Sequence, residues 1–264
     1  MALKTNLWEV DMKKLLITII LWLGATACLY AEDPTARAIV DKVNDLINQN
    51  QVKAQVSMTI TTSSGDQRTF VYDSYSKDQG EKNLIKYISP SRVKDQTLLM
   101  LNNADDIWSY FPRTNRVRKL ATHAKKQKFE GSDFSYEDLG SGDSWLDDFE
   151  HNMLDDDKLD GKDCFVVEMV KKPKAESGYS RQVMWVRKDD YYPIQLDYYS
   201  ENDPKYLVKR LVMSDIKLIE GVPTAMKMVM HDMQDNSETI MVYDTITYAV
   251  DLPDDLFTER GMKE

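Results

Sequence analysis

The chain has 264 residues, 42% hydrophobic and 30% charged, a composition that suits a soluble globular protein with material for a sizeable core. Its 44 acidic and 34 basic residues give a net charge of −10, which excludes a protein that coats nucleic acid, because such binding needs a basic surface.

The stretch MKKLLITIILWLGATACLYAEDP reads as a secretory leader: Lys13 and Lys14 precede the apolar run Leu15 to Leu23, and small residues follow. That run is too short to span a bilayer comfortably. Glu9 and Asp11 do not suit the basic start of a leader, which points to Met12 as the true start. Residues 1–31 are expected to be a signal peptide and residues 32–264 one exported domain. Two alternatives stay open at Ala25 to Cys28. Cleavage after Ala31 discards Cys28; a degenerate lipobox, lacking the usual leucine, would instead make Cys28 the acylated first residue. Cys164 is the only other cysteine, so no intramolecular disulfide is expected, and Cys164 reads as a small buried hydrophobe.

After the leader the sequence predicts one helix, with Asp33 as cap, Pro34 at its first position, and Ile39, Val40, Val43, Leu46 and Ile47 on one face. From Val56 the period changes to two: Val56, Met58 and Ile60 alternate with polar residues, and SSGD turns the chain into QRTFVYDSYS. Ten further strand candidates follow: NLIKYI, QTLLML, DIWSYF, NRVRKL, DCFVVEMV, RQVMWVR, PIQLDYY, LVKRLVM, TAMKMVMH and ETIMVYDTITY. Short polar turns between them predict a meander, hence one antiparallel sheet curled into a barrel or half barrel, with a sandwich as the competing architecture. The sheet is interrupted between about Phe129 and Lys162. Short helical pieces around Tyr136 and Trp145 are expected there, across the mouth or concave face of the sheet.

Asp133 to Asp163 contains twelve carboxylates and two lysines, which raises calcium. Against the EF-hand pattern from Asp156, Lys158 and Val167 occupy ligand positions, so the pattern fails and a solvated acidic loop is expected. His123, His151 and His231 lack zinc-site spacing. Ser132, Ser135, Ser141 and Ser144, near His123 and His151, raise a lipid hydrolase, yet GSD and GSGDS do not match the GxSxG elbow, and such residues also make caps and turns. No catalytic residue, metal or cofactor is assigned. A stronger signal is the 14 methionines, 14 tyrosines and 5 tryptophans, with Met226, Met228 and Met230 expected on one strand face. Flexible thioethers repack around guests of different shape, although a plain core strand would look the same.

The order YISPSRVKDQTLLML, DDIWSYFPRTNRVRKL, FEGSDFSYEDL, VMWVRKDDYYPIQLDYY and PDDLFTERGM resembles the bacterial outer-membrane lipoprotein-sorting proteins, relatives of the periplasmic lipoprotein carrier LolA. The resemblance covers nearly the whole chain after the leader. It implies a mainly β (α+β) fold, an incomplete antiparallel β-barrel of about eleven strands lidded by a few helices, LolA/LolB-like, with an apolar cavity for acyl chains. Cavity candidates are then Met58, Ile60, Met100, Trp108, Tyr110, Phe134, Trp145, Met184, Met226, Met228 and Met230.

Arg113, Arg116, Arg118, Lys119, Lys125 and Lys126, with Lys128, are expected to form a basic edge toward a membrane surface or an inner- or outer-membrane partner protein. The alternative is a solvated hairpin end paired with the acidic interval. Three functions stand side by side: a periplasmic carrier or acceptor of lipids or acylated lipoproteins, monomeric and soluble or anchored through Cys28; a lipid-cleaving hydrolase; and a non-enzymatic envelope scaffold with a filled core.

Overall fold

The computed structural model describes residues 34–140 and 142–264. The expected leader, Met12, Cys28, Asp33 and Ser141 lie outside the described residues. Thr35, rather than Asp33, caps helix α1 (Ala36–Ile47): its backbone is extended and its hydroxyl accepts the Ala38 N–H at 3.2 Å. The helix buries Ile39, Val40 and Val43, the face that its spacing predicts.

The described strands form one antiparallel sheet of fourteen: β1 (Gln51–Thr61), β2 (Gln67–Lys77), β3 (Lys82–Ser89), β4 (Thr97–Leu101), β5 (Asp106–Phe111), β6 (Arg116–Lys119), β7 (Phe149–Met153), β8 (Asp157–Leu159), β9 (Lys162–Lys171), β10 (Tyr179–Arg187), β11 (Pro193–Ser200), β12 (Leu207–Ile219), β13 (Val222–Asp232) and β14 (Ser237–Tyr248). Their order is β6-β5-β4-β3-β2-β1-β14-β13-β12-β11-β10-β9-β7, with β8 also on β9. Each consecutive pair joined by a short turn lies side by side, as a meander requires. The ends of this order, β6 and β7, are not paired with each other, so the sheet is an incomplete barrel.

Fourteen strands replace the expected eleven. Two of the additions, β7 and β8, come from the acidic interval, where helical pieces and a solvated loop are expected from the sequence. Both use one long neighbour: Met153 sits opposite Val167 and Asp157 opposite Cys164, so successive lengths of β9 pair first with one strand and then with the other. The charge density of DDDKLDGKD hides this pairing, because the tip is solvated on both faces.

Alternation gives the sheet two different apolar surfaces. On the inner face α1 packs against β7, β9 and β13, and side chains such as Val56, Met58, Ile85, Met100, Val167 and Met184 join one buried cluster with the helix. On the outer face Leu84 and Leu99 point the other way, into a second cluster with Leu252, Phe257 and Met262 of the segment that follows β14. That segment is tied down by polar contacts too: Lys77 donates to the Leu252 carbonyl at 2.8 Å and the Thr97 hydroxyl to the Met262 carbonyl at 2.8 Å. Burial on both faces explains why β3 and β4 read as nearly continuous apolar runs.

Truncating Phe257 to alanine is expected to cost about 3–5 kcal/mol, the usual range for a buried Phe. Urea denaturation monitored by tryptophan fluorescence checks it; a loss below about 1 kcal/mol would show that the outer cluster does not support the sheet.

Candidate functional site

The segment between β6 and β7 crosses the inner face and carries helices α2 (Tyr136–Gly140) and α3 (Ser144–Asp147). Two buried carboxylates fasten it. Asp133, 1% exposed, accepts hydrogen bonds from the Ser237 hydroxyl at 2.5 Å and the Thr239 hydroxyl at 2.7 Å, while its own N–H donates to Thr239 Oγ1 at 2.9 Å. Asp138, with its side chain 2% exposed, accepts from Lys209 Nζ at 3.0 Å and Tyr179 Oη at 2.8 Å. It also closes a capping box with Ser135, whose N–H donates to Asp138 at 2.7 Å and whose hydroxyl accepts the Asp138 N–H at 3.1 Å. The segment is thereby bonded to β14 through one acid and to β10 and β12 through the other.

Apolar contacts complete the attachment. Phe129 is fully buried; its ring stacks on Tyr87 at 6.4 Å between centroids and meets Tyr72 and Tyr136 edge-on at 6.4 and 5.7 Å. At the other end, three successive carbonyls of α3 find partners: His151 Nε2 lies 2.8 Å from the Trp145 oxygen, Arg37 donates to Leu146 at 2.6 Å and Lys172 to Asp147 at 2.6 Å. Burial holds the Glu137 carboxyl above its ordinary range, against the opposing bonds from Ser177 and the Gly178 N–H.

What the segment does not fill is a cavity of about 210 Å³ between the inner face and the end of α1. Val56, Ile85, Met100, Met228, Met241 and Ile246 supply apolar wall, Tyr72, Tyr243 and Tyr248 add aromatic rings, and Asn48, Gln49, Ser74, Ser76 and Asn83 make the rest of the lining polar. Burial drives the phenol pKa values of Tyr72 and Tyr243 well up, so both remain neutral donors; that of Tyr72 lies 3.7 Å from Met241 Sδ. The rim is drawn shut by three loops. Asn48 Nδ2 donates to the Gly142 carbonyl at 2.8 Å, and Asn83 Nδ2 to the Gly80 carbonyl at 2.6 Å. A Cβ on Gly80 would stand 3.1 Å from Gly142 Cα, and both glycines have positive φ, so this close backbone approach needs glycine on both sides.

Of the sequence candidates, Met100 and Met228 line the cavity. Met58, Ile60, Phe134, Met184 and Met230 are packed into the inner core, and Trp145 is half-buried against it. Trp108 and Tyr110 are corrected to the outer face, where they pack with the cluster of Leu252 and Phe257; Ile107, not its aromatic neighbours, is the inward residue of β5. Met226 is half-buried and joins neither apolar cluster, unlike Met228 and Met230. The inward residues on β13 are Ala225, then Met228 and Met230, and on β12 Met213, then Ile216; the alternation slips on both strands beside Asp215, whose φ is 52°. Tyr72, Tyr243, Tyr248 and Ile246 were not picked out by sequence reasoning; their shared signal is that β1, β2 and β14 are neighbours, which a linear reading does not give.

The expected basic edge divides. Lys125 is buried and ion-paired with Asp105 at 2.6 Å, Lys126 pairs with Glu201 at 2.7 Å, and Lys119 with Asp106 at 2.5 Å. Lys128 bonds Asp232 and Asp235 at 2.9 and 2.7 Å. Most of these partners come from outside the acidic interval, in contrast to the pairing that the sequence suggested. Arg113, Arg116 and Arg118 have no ion pair among the described residues. The serines take structural posts: Ser132 is fully buried in a turn with Phe134, and Ser135 caps α2. His151 faces the Trp145 carbonyl and His231 faces Glu238 at 3.3 Å. Among the described residues no cluster of His, Cys, Asp or Glu is arranged to hold a metal ion, and no helix is long and apolar enough to cross a membrane.

A family model described as an uncharacterized protein matches residues 79–264. No curated protein matches the chain. Among solved structures, an outer membrane lipoprotein-sorting protein domain from Vibrio parahaemolyticus is similar at 26% identity and a TM-score of 0.78, covering 87% of this chain and 98% of that one. A DUF1329 family protein from Desulfovibrio piger is similar at 28% identity and a TM-score of 0.77, covering 88% of this chain and 100% of that one. A LolA superfamily protein from Nitrosomonas europaea shares the fold at 20% identity and a TM-score of 0.73, covering 86% and 99% of the two chains.

Asp138→Ala strands the largely buried Lys209 charge and is expected to cost about 3–5 kcal/mol, with part recovered in Asp138→Ala/Lys209→Met. Equal stability of the single and double variants in urea would refute the clamp. Burial lowers the His151 pKa, opposed by the bond to Trp145, so the folded state prefers neutral imidazole. That preference stabilises above the unfolded value of about 6.5 and is lost as pH falls from there through the lowered folded pKa. The thermal midpoint is expected to drop over this window in the native chain and less in His151→Gln.

Proposed function

Because the chain belongs to a LolA-like protein family, we propose that it binds acyl chains of lipids or lipoproteins on the inner face of its open sheet and carries or accepts them in the periplasm. The observation that carries this reading is the cavity left between the sheet, α1 and the crossing segment, walled by Met100, Met228 and Met241. Methionine fills irregular space without imposing one shape, as a site for flexible hydrocarbon requires. The similarity to an outer membrane lipoprotein-sorting protein domain from Vibrio parahaemolyticus supports the same role, and the leader expected from the sequence supports export. No bond need form or break in such a function.

At about 210 Å³ the cavity is smaller than ordinary ligand pockets, which run to roughly 300–1,000 Å³. It seats part of an acyl chain. Longer chains require the rim to part, which means separating Asn48 from Gly142 and moving the crossing segment off the inner face. The two clamps set the order of movement: the end near Gly142 is held by single hydrogen bonds to side-chain amides, whereas Asp133 and Asp138 hold the middle by several bonds each.

Transfer of hydrocarbon from water gains about 0.8 kcal/mol per methylene, so affinity for fatty acids is expected to rise about four-fold per added methylene until the cavity is full. Met228→Trp, which occupies the cavity, is expected to abolish the chain-length dependence. Competition with a fluorescent fatty acid measures both, and native mass spectrometry of protein from the envelope reports bound lipid and any acyl group on Cys28. Affinity independent of chain length, with no copurified lipid, would sink the reading.

A further inference from the structure

We infer that the pocket between the β3–β4 loop and the β5–β6 hairpin is a binding site for the phosphate of an anionic lipid headgroup. Arg92 and Lys94 line it from the loop, Arg113 from the hairpin turn and Arg118 from β6, around a space of about 280 Å³. Phe111 and Pro112 form its apolar wall. The cavity on the inner face shares none of these residues, so the inference does not depend on what the inner face carries.

Several basic side chains elsewhere have a carboxylate within 3.0 Å, among them Lys125, Lys126, Lys128, Lys209 and Arg210. Others, such as Lys53 and Lys205, form no ion pair among the described residues but stand singly, whereas here four cations line one space. Around this pocket no ion pair is formed among the described residues. Arg92 lies 5.4 Å from the Phe70 ring centroid and Arg118 5.8 Å from that of Phe111, and Arg92 acts on the Glu130 carboxyl. Among the described residues Lys94 and Arg113 form no ion pair and stand over no ring. In a chain of net charge −10, four cations gathered without an ion pair repel one another, and an oxyanion among them relieves that repulsion.

The four cations also come from separate parts of the chain. Strand β6 is a sheet edge, and cations on an edge discourage pairing with other chains, which accounts for Arg116 and Lys119. It does not account for Arg92 and Lys94, which come from a different loop and converge on the same space. A concave pocket with donors on several sides and an aromatic wall suits a phosphate joined to an apolar glyceride, with guanidinium groups to fork its oxygens. A broad flat patch would suit an acidic protein better.

The test uses protein purified from the envelope and sedimentation with phosphatidylcholine vesicles, with or without phosphatidylglycerol. Binding is expected only with phosphatidylglycerol, and Arg113→Gln/Arg118→Gln is expected to lower it about 25-fold, at about five-fold per cation. Lys205→Gln/Lys227→Gln, the same charge change at exposed residues outside the pocket, is expected to leave it within about two-fold. Circular dichroism checks that both variants fold. Equal loss in both variants would show unspecific attraction and overturn the site. Glycerol phosphate provides the soluble arm, followed by phosphorus NMR; binding of it that needs Arg113 and Arg118, without vesicle binding, would overturn the lipid assignment in favour of a free phosphate compound.

Discussion

The structure depends on two carboxylates taken out of water. An open sheet of this width leaves its inner face to be covered, and α1 covers only the part over β7, β9 and β13. Much of the remainder is covered by the segment between β6 and β7, which combines burial of Phe129 and Phe134 with polar anchors. Asp133 and Asp138 supply those anchors by bonding to hydroxyls of β14, to Lys209 of β12 and to Tyr179 of β10. Buried ionised groups are tolerated only when every oxygen is satisfied, and here both are. The segment therefore has one position along the sheet, and the unfilled space beneath it follows from that position.

Much of this was legible in the sequence, and the failures have physical reasons. Twelve of the fourteen strands showed themselves by alternation or by short apolar runs between turns, and the face of α1 followed from its spacing. What stayed hidden depends on partners distant in sequence. Strands β7 and β8 are legible only with β9 beside them. Trp108 and Tyr110 looked inward because large aromatics suggest a core, yet an apolar segment some 140 residues later gives the outer face a core of its own. The methionine row on β13 broke at the slip beside Asp215, which no local pattern announces.

The GSDFSYEDL motif shows how a striking sequence can be functional in an indirect way. Its serines and acids invite catalysis, but each reaches a structural partner: Ser132 a turn, Ser135 a cap, Asp133 and Asp138 the sheet. The motif positions a cover rather than a reacting group. Its charge also explains part of the basic stretch that precedes it, since Lys128 reaches Asp133 at 3.8 Å as well as Asp232 and Asp235.

The apolar patch made by Leu84 and Leu99 belongs to strands near the front of the sheet, while Leu252, Phe257 and Met262, which shelter it, are translated last among the described residues. The sheet from β1 to β14 is therefore complete in sequence before its own shelter begins, and a chain shortened after Tyr248 would keep every strand yet leave Leu84 and Leu99 bare on the back of the sheet.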